Sequence, residues 1–401
     1  MAIKNLDKKI RAYALRNAIA YDGKANPGSV VSALFNDGLK KEQVKGTMPK
    51  IQAVIKEIGK LSIEEQKNEY DKLHEIVSER EVREGLEELP DVKKSGVIMR
   101  FAPSASGPMH IGHAMTACIS FLYVKKYGGK FYVRIEDTNP DNISKDSYKM
   151  IKEDSKWLFD NIAEVIIQSE RMKLYYDYSE KLIKKNAVYV CTCSQENFKK
   201  LVDNKKACHC RKNNVEENII RWKKMLDKKN GYKMGGAVLR FKSDLLHPNP
   251  ALRDFPLARI NEDKHPLQGN KYRVWPLMNL AVAVDDIELK MTHIIRAKDH
   301  RDNAERQKLI YKALGEKNFP WTAFLGRYHF KDLELSTTQF RKGIEEGKYK
   351  GWDDVKLPTL VSLKKQGYKP SAFWKFAERV GLSESDKVLD KKEYFTLLNS
   401  F

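Results

Sequence analysis

No stretch of the 401-residue chain approaches the roughly eighteen consecutive apolar residues that a membrane-crossing helix needs, which argues against a spanning segment and a membrane partner. The first residues, Met1-Ala2-Ile3-Lys4-Asn5-Leu6-Asp7, show no apolar core followed by a cleavage site. A secretory leader is therefore not expected, and the cytoplasm is the expected setting. Cysteine is scarce, at five residues, and a disulfide framework is disfavoured in that setting. Acidic groups are in deficit: 54 aspartates and glutamates face 74 lysines and arginines, a formal net charge of +20. Such an excess draws polyanions and fits RNA binding, without specifying a sequence. What remains is chain enough for two or three domains, each with its own core.

The most informative stretch runs from Gly96 to His113. Gly96-Val97-Ile98-Met99-Arg100-Phe101 reads as a buried strand interrupted by one arginine, and Ser106-Gly107-Pro108 reads as a turn. From His110 the period becomes helical, with Ile111, Met115, Ile119 and Leu122 recurring every three or four residues. A strand thus passes through a small-residue loop into a helix whose first turn carries His110, Gly112 and His113. Unpaired N–H groups and the helix dipole favour a phosphate there, and Gly112 lets it approach the backbone. His110 and His113 are three apart and can face one ligand. An ordinary strand–loop–helix with two solvent-facing histidines is the competing reading of a bare H-x-G-H.

Residues 1–90 look helical and polar, with apolar stripes at Ile10, Ala14, Ala18 and Ile19 and at Ile51, Val54, Ile55 and Ile58. Ser62 with Glu65 forms a capping box. Lys130 to Ile135 alternates as a strand and delivers Glu136 and Asp137 to its carboxyl end, where open α/β sheets place ligands. Residues 143–185 read as helices. Cys191-Thr192-Cys193 and Cys208-His209-Cys210 gather four of the five cysteines within twenty residues. Four thiolates on two short arms can close a tetrahedral zinc site, with His209 as an alternative ligand, and zinc would fix a subdomain too poor in apolar residues to hold itself. Lys223, Lys224, Lys228 and Lys229 make the following region basic and irregular, with one strand-like run at Ala237-Val238-Leu239-Arg240-Phe241. Val274 to Val284 is buried and apolar, ending in Asp285-Asp286, and Met291 to Ile295 is a strand with Arg296 at its end.

These residues resemble a known family. The strand, loop and histidines resemble the class I aminoacyl-tRNA synthetase signature, and Arg100-Phe101-Ala102-Pro103-Ser104-x-Ser106-Gly107 is similar to the archaeal glutamyl-tRNA synthetases. The resemblance spans roughly residues 95 to 401. It implies an α/β fold: a class I Rossmann-like nucleotide-binding domain split by a zinc-bearing, acceptor-binding insertion, with helical N- and C-terminal regions. The expected segments are a helical extension over 1–92, catalytic halves over 93–186 and 269–330, the insertion over 187–268, and a loop with a helical stem-contact region over 331–401. It further implies that His110 and His113 are catalytic and that ATP, with Mg2+, binds at His110, Gly112, His113, Ser336 and Thr337. Arg100, Ala102, Ser104, Glu136 and Arg296 would bind L-glutamate, and Cys191, Cys193, Cys208 and Cys210 a structural Zn2+.

The implied activity is that of a glutamate–tRNA ligase acting on tRNA(Glu), with tRNA(Gln) as a wider substrate. Two features depart from the pattern. Leu335-Ser336-Thr337 occupies the K-M-S-K-S loop without its lysine, since Glu334, Thr337 and Gln339 are not basic; Arg341 or Lys342 is left to supply the charge. The sequence also stops before the anticodon-reading β-barrels of the family. Both features raise an alternative, a catalytically weakened RNA-binding paralogue. A glutaminyl-tRNA synthetase, with aspartate expected at Glu136, and a small adenylyltransferase are the remaining readings.

Overall fold

The computed structural model describes residues 3–77 and 85–401. It divides into two compact units, Met1–Arg83 and Glu84–Phe401. The stretch 78–84, inside the expected helical extension, lies outside the described residues.

Among the described residues, the first unit holds four α-helices: α1 (Leu6–Ala20), α2 (Pro27–Asn36), α3 (Lys41–Ile58) and α4 (Ile63–Asp71). Its core is the expected stripe, Ile10, Ala14 and Ala18 of α1 packed with Leu34 of α2 and Ile51 and Ile58 of α3. Ser62 caps α4 by accepting from the Glu65 N–H while the Glu65 carboxylate accepts from the Ser62 N–H at 2.7 Å. Reciprocal satisfaction of two otherwise unpaired donors fixes where that helix begins.

In the second unit, β1 (Val97–Phe101), β2 (Gly129–Ile135) and β3 (Glu164–Ile167) form a parallel sheet with β2 in the middle. Parallel neighbours need a long crossover. Helix α5 (Ile111–Tyr127) supplies the first and α6 (Ser147–Leu158) the second. After α7 (Met172–Lys184) the chain leaves this sheet for an antiparallel one, β4 (Val188–Cys191), β5 (Val238–Phe241), β6 (Pro256–Ile260) and β7 (Val274–Pro276), with α8 (Gln195–Asp203) and α9 (Val215–Leu226) between its first two strands. Helix α10 (Met278–Glu288) then leads to β8 (His293–Ala297), α11 (Arg301–Leu314) and β9 (Trp321–Leu325), the last two strands pairing in parallel. Ile98 of β1 accepts from the Thr292 N–H at 3.0 Å and donates to Thr292 Oγ1 at 2.9 Å, which draws β8 alongside β1. Two parallel halves flanking an antiparallel insertion is the split arrangement expected.

The last segment holds β10 (Tyr328–Phe330) paired with β11 (Lys387–Leu389), and helices α12 (Thr337–Glu345), α13 (Leu360–Lys365), α14 (Pro370–Val380) and α15 (Lys391–Asn399). Helix α14 packs on α5, so one core joins the first parallel sheet to the chain's final helices.

Two elements differ from the sequence reading. The stretch 143–185 contains β3 as well as helices, and the irregular insertion supplies three strands, β4 to β6, of a four-stranded sheet that β7 completes. In both places the strands are only three to five residues long. Runs that short show too few alternations to reveal a period.

Candidate active site and metal centre

His110 is the N-cap of α5, in extended conformation, so the helix itself starts at Ile111. The Gly112 N–H donates to His110 Nδ1 and the His110 N–H to His113 Nδ1, both at 3.2 Å. A ring nitrogen that accepts carries no proton, so each neutral imidazole keeps its proton on Nε2 and presents it as a donor. The rings stack with centroids 3.8 Å apart. Desolvation depresses both titrations, with the neighbouring His113 lowering His110 further, and the His113 pKa falls to about 4. At neutral pH the helix start therefore offers N–H donors and a dipole but no full charge. It lines a cavity of about 740 Å³ whose opposite wall is the chain from Gly326 to Leu335.

Distant parts of the chain hold this turn in place. Met109 donates its N–H to the buried Asp154 carboxylate of α6 at 2.9 Å. The Ile111 N–H donates to the Pro358 carbonyl at 3.0 Å and the Leu360 N–H to the Met109 carbonyl at 2.8 Å, bracketing an antiparallel bridge between His110 and Thr359. Gly107 sits under α12: a Cβ built there would lie 2.3 Å from Thr337 Cγ2, so only glycine permits the approach. Ser336 Oγ caps α12 by accepting from the Gln339 N–H at 3.3 Å, and the Arg341 guanidinium donates to the Ser106 carbonyl. In the same loop Ser104 and Ser106 hydroxyls lie 3.1 Å apart, and Ala102 is half-buried.

Beyond the loop lies a buried charge cluster at the carboxyl ends of the strands. Arg100 grips Asp286 with Nε and Nη2 at 2.8 and 3.1 Å. Arg134, fully buried on β2, reaches Asp286 at 2.6 Å and Glu136 at 3.1 Å. Asp285 is held by Gln168 and Arg171 at 2.8 Å and by Tyr175. Burial opposes ionisation of Asp286, yet Arg100 and Arg134 outweigh it and hold its pKa at about 2. Arg296 donates Nη1 to Gln307 at 2.9 Å, while its buried Nε has no partner among the described residues. Desolvation, then the neighbouring Arg100, lowers its pKa to about 10, against the pull of Asp286 and Glu136. Arg100, Glu136 and Arg296 thus share one electrostatic environment, although each comes from or just after a different strand.

Residues 96–399 match the family model for the catalytic domain of class I tRNA synthetases (E and Q). The chain belongs to this family. Among its relatives, the glutamate–tRNA ligase of Methanocaldococcus jannaschii is 44% identical over 95% of this chain and 68% of its own length. That of Methanobrevibacter smithii is 41% identical over 100% of this chain and 71% of its own. A crystal structure of a glutamate tRNA ligase from Elizabethkingia meningosepticum, in complex with its amino acid, superposes with a TM-score of 0.54 over 75% of this chain and 68% of that one. At 20% identity it speaks for the fold alone.

The insertion of this synthetase brings the four cysteines together. Their sulfurs all lie within 4.8 Å of one another, with Cys191 to Cys208 at 3.8 Å and Cys193 to Cys210 at 4.0 Å. A tetrahedron with Zn–S bonds of about 2.3 Å separates its sulfurs by about 3.8 Å, so the cluster has the dimensions of a metal site. The Thr192 N–H points at Cys210 Sγ, as does Arg221, which suits a thiolate. His209 lies outside the four, with Nε2 3.3 Å from Cys210 Sγ.

Several groups of this site escape a reading of the sequence. Arg134 sits in a strand buried on both faces, and a charge in such a strand calls for buried acids; the paired Asp285-Asp286 was their visible trace. Asp137, expected at the ligand end with Glu136, is turned inward, accepting from the Tyr148 hydroxyl and the Ser169 N–H at 2.8 Å. Asp154 and the residues 358–360 carried no local signal.

Proposed function

We propose that the cavity between the histidine-capped helix and the chain from Gly326 to Leu335, together with the buried charge cluster, makes glutamyl-adenylate, as the first step of a glutamate–tRNA ligase reaction. The glutamate α-carboxylate attacks the α-phosphorus of ATP, the bond to pyrophosphate breaks, and the mixed anhydride remains. The 3′-terminal ribose hydroxyl of tRNA then attacks the acyl carbon and releases AMP. Neither step needs a protein nucleophile; orientation and stabilisation of phosphate charge suffice. Nε2–H of His110 and His113 would receive the phosphates beside Gly112, with Ser336 and Thr337 closing from the other side. ATP would enter with Mg2+, bridged through phosphate oxygens. Arg100, Arg296 and the loop at Ala102 and Ser104 would hold the amino acid's carboxylates, and Glu136 its ammonium.

One observation carries this reading. Arg100, Arg134, Arg171 and Arg296 face Glu136, Asp285 and Asp286, four positive groups against three negative, which leaves one positive charge in surplus. Glutamate, with two carboxylates and one ammonium, brings the single negative charge that balances it, whereas zwitterionic glutamine does not. The four cysteines would hold Zn2+ as a structural ion. The insertion, with Lys223, Lys224, Lys228 and Lys229, would meet the acceptor end of tRNA(Glu) in the cytoplasm, and the helices after residue 331 its stem.

A non-catalytic RNA-binding relative is the second reading, favoured by the acid at Glu334 and the hydroxyl at Thr337. ATP–pyrophosphate exchange with glutamate or glutamine, with and without tRNA, separates them. Glutamate should support exchange, and His113→Ala should cut it roughly 10²–10³-fold, the cost of one well-placed donor. Absence of exchange with either amino acid in a chain that still binds tRNA would leave the second reading.

A further inference from the structure

A glutamine occupies a core position of α11. The inward face of that helix is Ala304, Gln307, Ile310 and Tyr311, and Gln307 is only 1% exposed. An amide taken out of water must have its hydrogen bonds replaced. Gln307 accepts from Arg296 Nη1 at 2.9 Å and donates Nε2 to Asn279 Oδ1 at 3.3 Å. Asn279 in turn donates to Asn303 Oδ1 at 3.2 Å, and the same oxygen accepts from Arg306 at 3.0 Å. Guanidinium groups only donate, so the arginine at each end dictates which way the amides point. The chain from Arg296 through Gln307, Asn279 and Asn303 to Arg306 holds two cations, three amides and no carboxylate.

We propose that Gln307 sets the preference for glutamate over glutamine, as a neutral positioning residue that fixes Arg296 without cancelling its charge; this rests on the adenylation reading and the charge count above. The other arginines of the cluster are held differently. Arg100, Arg134 and Arg171 each end on Asp285 or Asp286 at 2.6–2.8 Å. No carboxylate among the described residues pairs with Arg296, and its buried Nε has no partner there. The surplus positive charge therefore rests on this guanidinium, and the next residue, Ala297, already lines the cavity. A carboxylate at position 307 would give Arg296 the same geometry and would be held ionised by it. The pocket would then carry no surplus, which suits a zwitterion. An amide oxygen orients the clamp and leaves its charge to the substrate.

The test is ATP–pyrophosphate exchange in the full chain with tRNA added, glutamate as substrate and glutamine as competing inhibitor. Glutamate KM and glutamine Ki then come from one assay. Gln307→Glu should move the ratio of the two at least about tenfold toward glutamine, the lower end of what one close charge pair contributes. Gln307→Met, of similar length and uncharged, should raise the glutamate KM about tenfold at nearly constant kcat and parent melting temperature, because Arg296 loses one charge-assisted bond. An unchanged ratio in Gln307→Glu, whether both constants move together or neither moves, would make Gln307 a core residue only and overturn the proposal. Should Gln307→Glu fail to fold, Gln307→Met decides, and an unaltered glutamate KM there overturns it equally. Absence of exchange in the parent chain would instead count against the adenylation reading itself.

Discussion

Arg296, proposed above as a clamp on the substrate carboxylate, is incompletely satisfied without a ligand. Its Nε lacks a partner among the described residues, a second arginine sits beside it, and desolvation lowers its pKa. Such a group costs stability until an anion arrives. Arg296→Ala should therefore raise the glutamate KM by roughly 10–150-fold, the value of one charge-assisted hydrogen bond, while leaving thermal stability unchanged or higher. Arg100 behaves differently, because its fork is spent on Asp286. Arg100→Ala should lower stability by about 3–5 kcal/mol as well as weaken glutamate binding, since it strips one partner from a buried carboxylate. Steady-state exchange and thermal melting on the two variants check the contrast; equal melting temperatures would contradict it. The histidines, Arg100, Glu136 and Arg296 were legible in the sequence because each ends a strand or starts a helix, where ligands gather. Arg134 and Asp154 were not, because the partners that bury them, Asp286 and Met109, lie more than forty residues away.

At the scale of single elements, α6 acts on the signature loop through one carboxyl group. Burial pushes the Asp154 pKa up to about 7, and the Met109 N–H only partly opposes it. The folded chain thus holds this proton over a range where the unfolded chain, near the ordinary value of 3.8, has lost it. Stability from this group is complete below pH 4 and declines as pH rises to 7, by on the order of 4 kcal/mol. Asp154→Asn keeps an acceptor for Met109 and removes the titration. Urea unfolding at pH 5 and pH 8 should show a drop for the parent and a smaller one for the variant; parallel drops would refute the assignment. Short elements explain most of what the sequence hid: β3 has four residues, and its few apolar side chains fit a helix equally well. The helices α1, α3, α4 and α5 were visible because each displays a stripe or a cap, whereas Asn26-Pro27-Gly28 reads as a break and is instead the cap and first turn of α2.

Across the whole molecule, stability is distributed over separate cores. The first unit has its own, and the cysteine cluster anchors a small one made of little more than Tyr189, Phe198 and Val202 besides the sulfurs. A metal held by the four cysteines would supply the order that so few apolar groups do not. Cys208→Ser, or chelation, should release about one zinc per chain and raise the tRNA KM in aminoacylation. Exchange without tRNA should change by less than about threefold, since the arm opens locally. Zinc counted by a chelating dye, together with both assays, decides this; equal damage to both would tie the arm to the adenylation cleft. The split layout of the fold was implied by the resemblance to the class I synthetases, but the bridge from His110 to Thr359 was not.

That bridge has a consequence for biosynthesis. The hydrogen bonds at Met109, His110 and Ile111 wait for partners at 358–360, nearly 250 residues downstream. At translation speeds of about 5–20 residues per second, the signature turn spends on the order of 10–50 s on the ribosome before its clasp exists. During that time the nascent chain carries the histidine turn without the clasp that fixes it, and the turn takes its final geometry only when residues 358–360 emerge and pair with it.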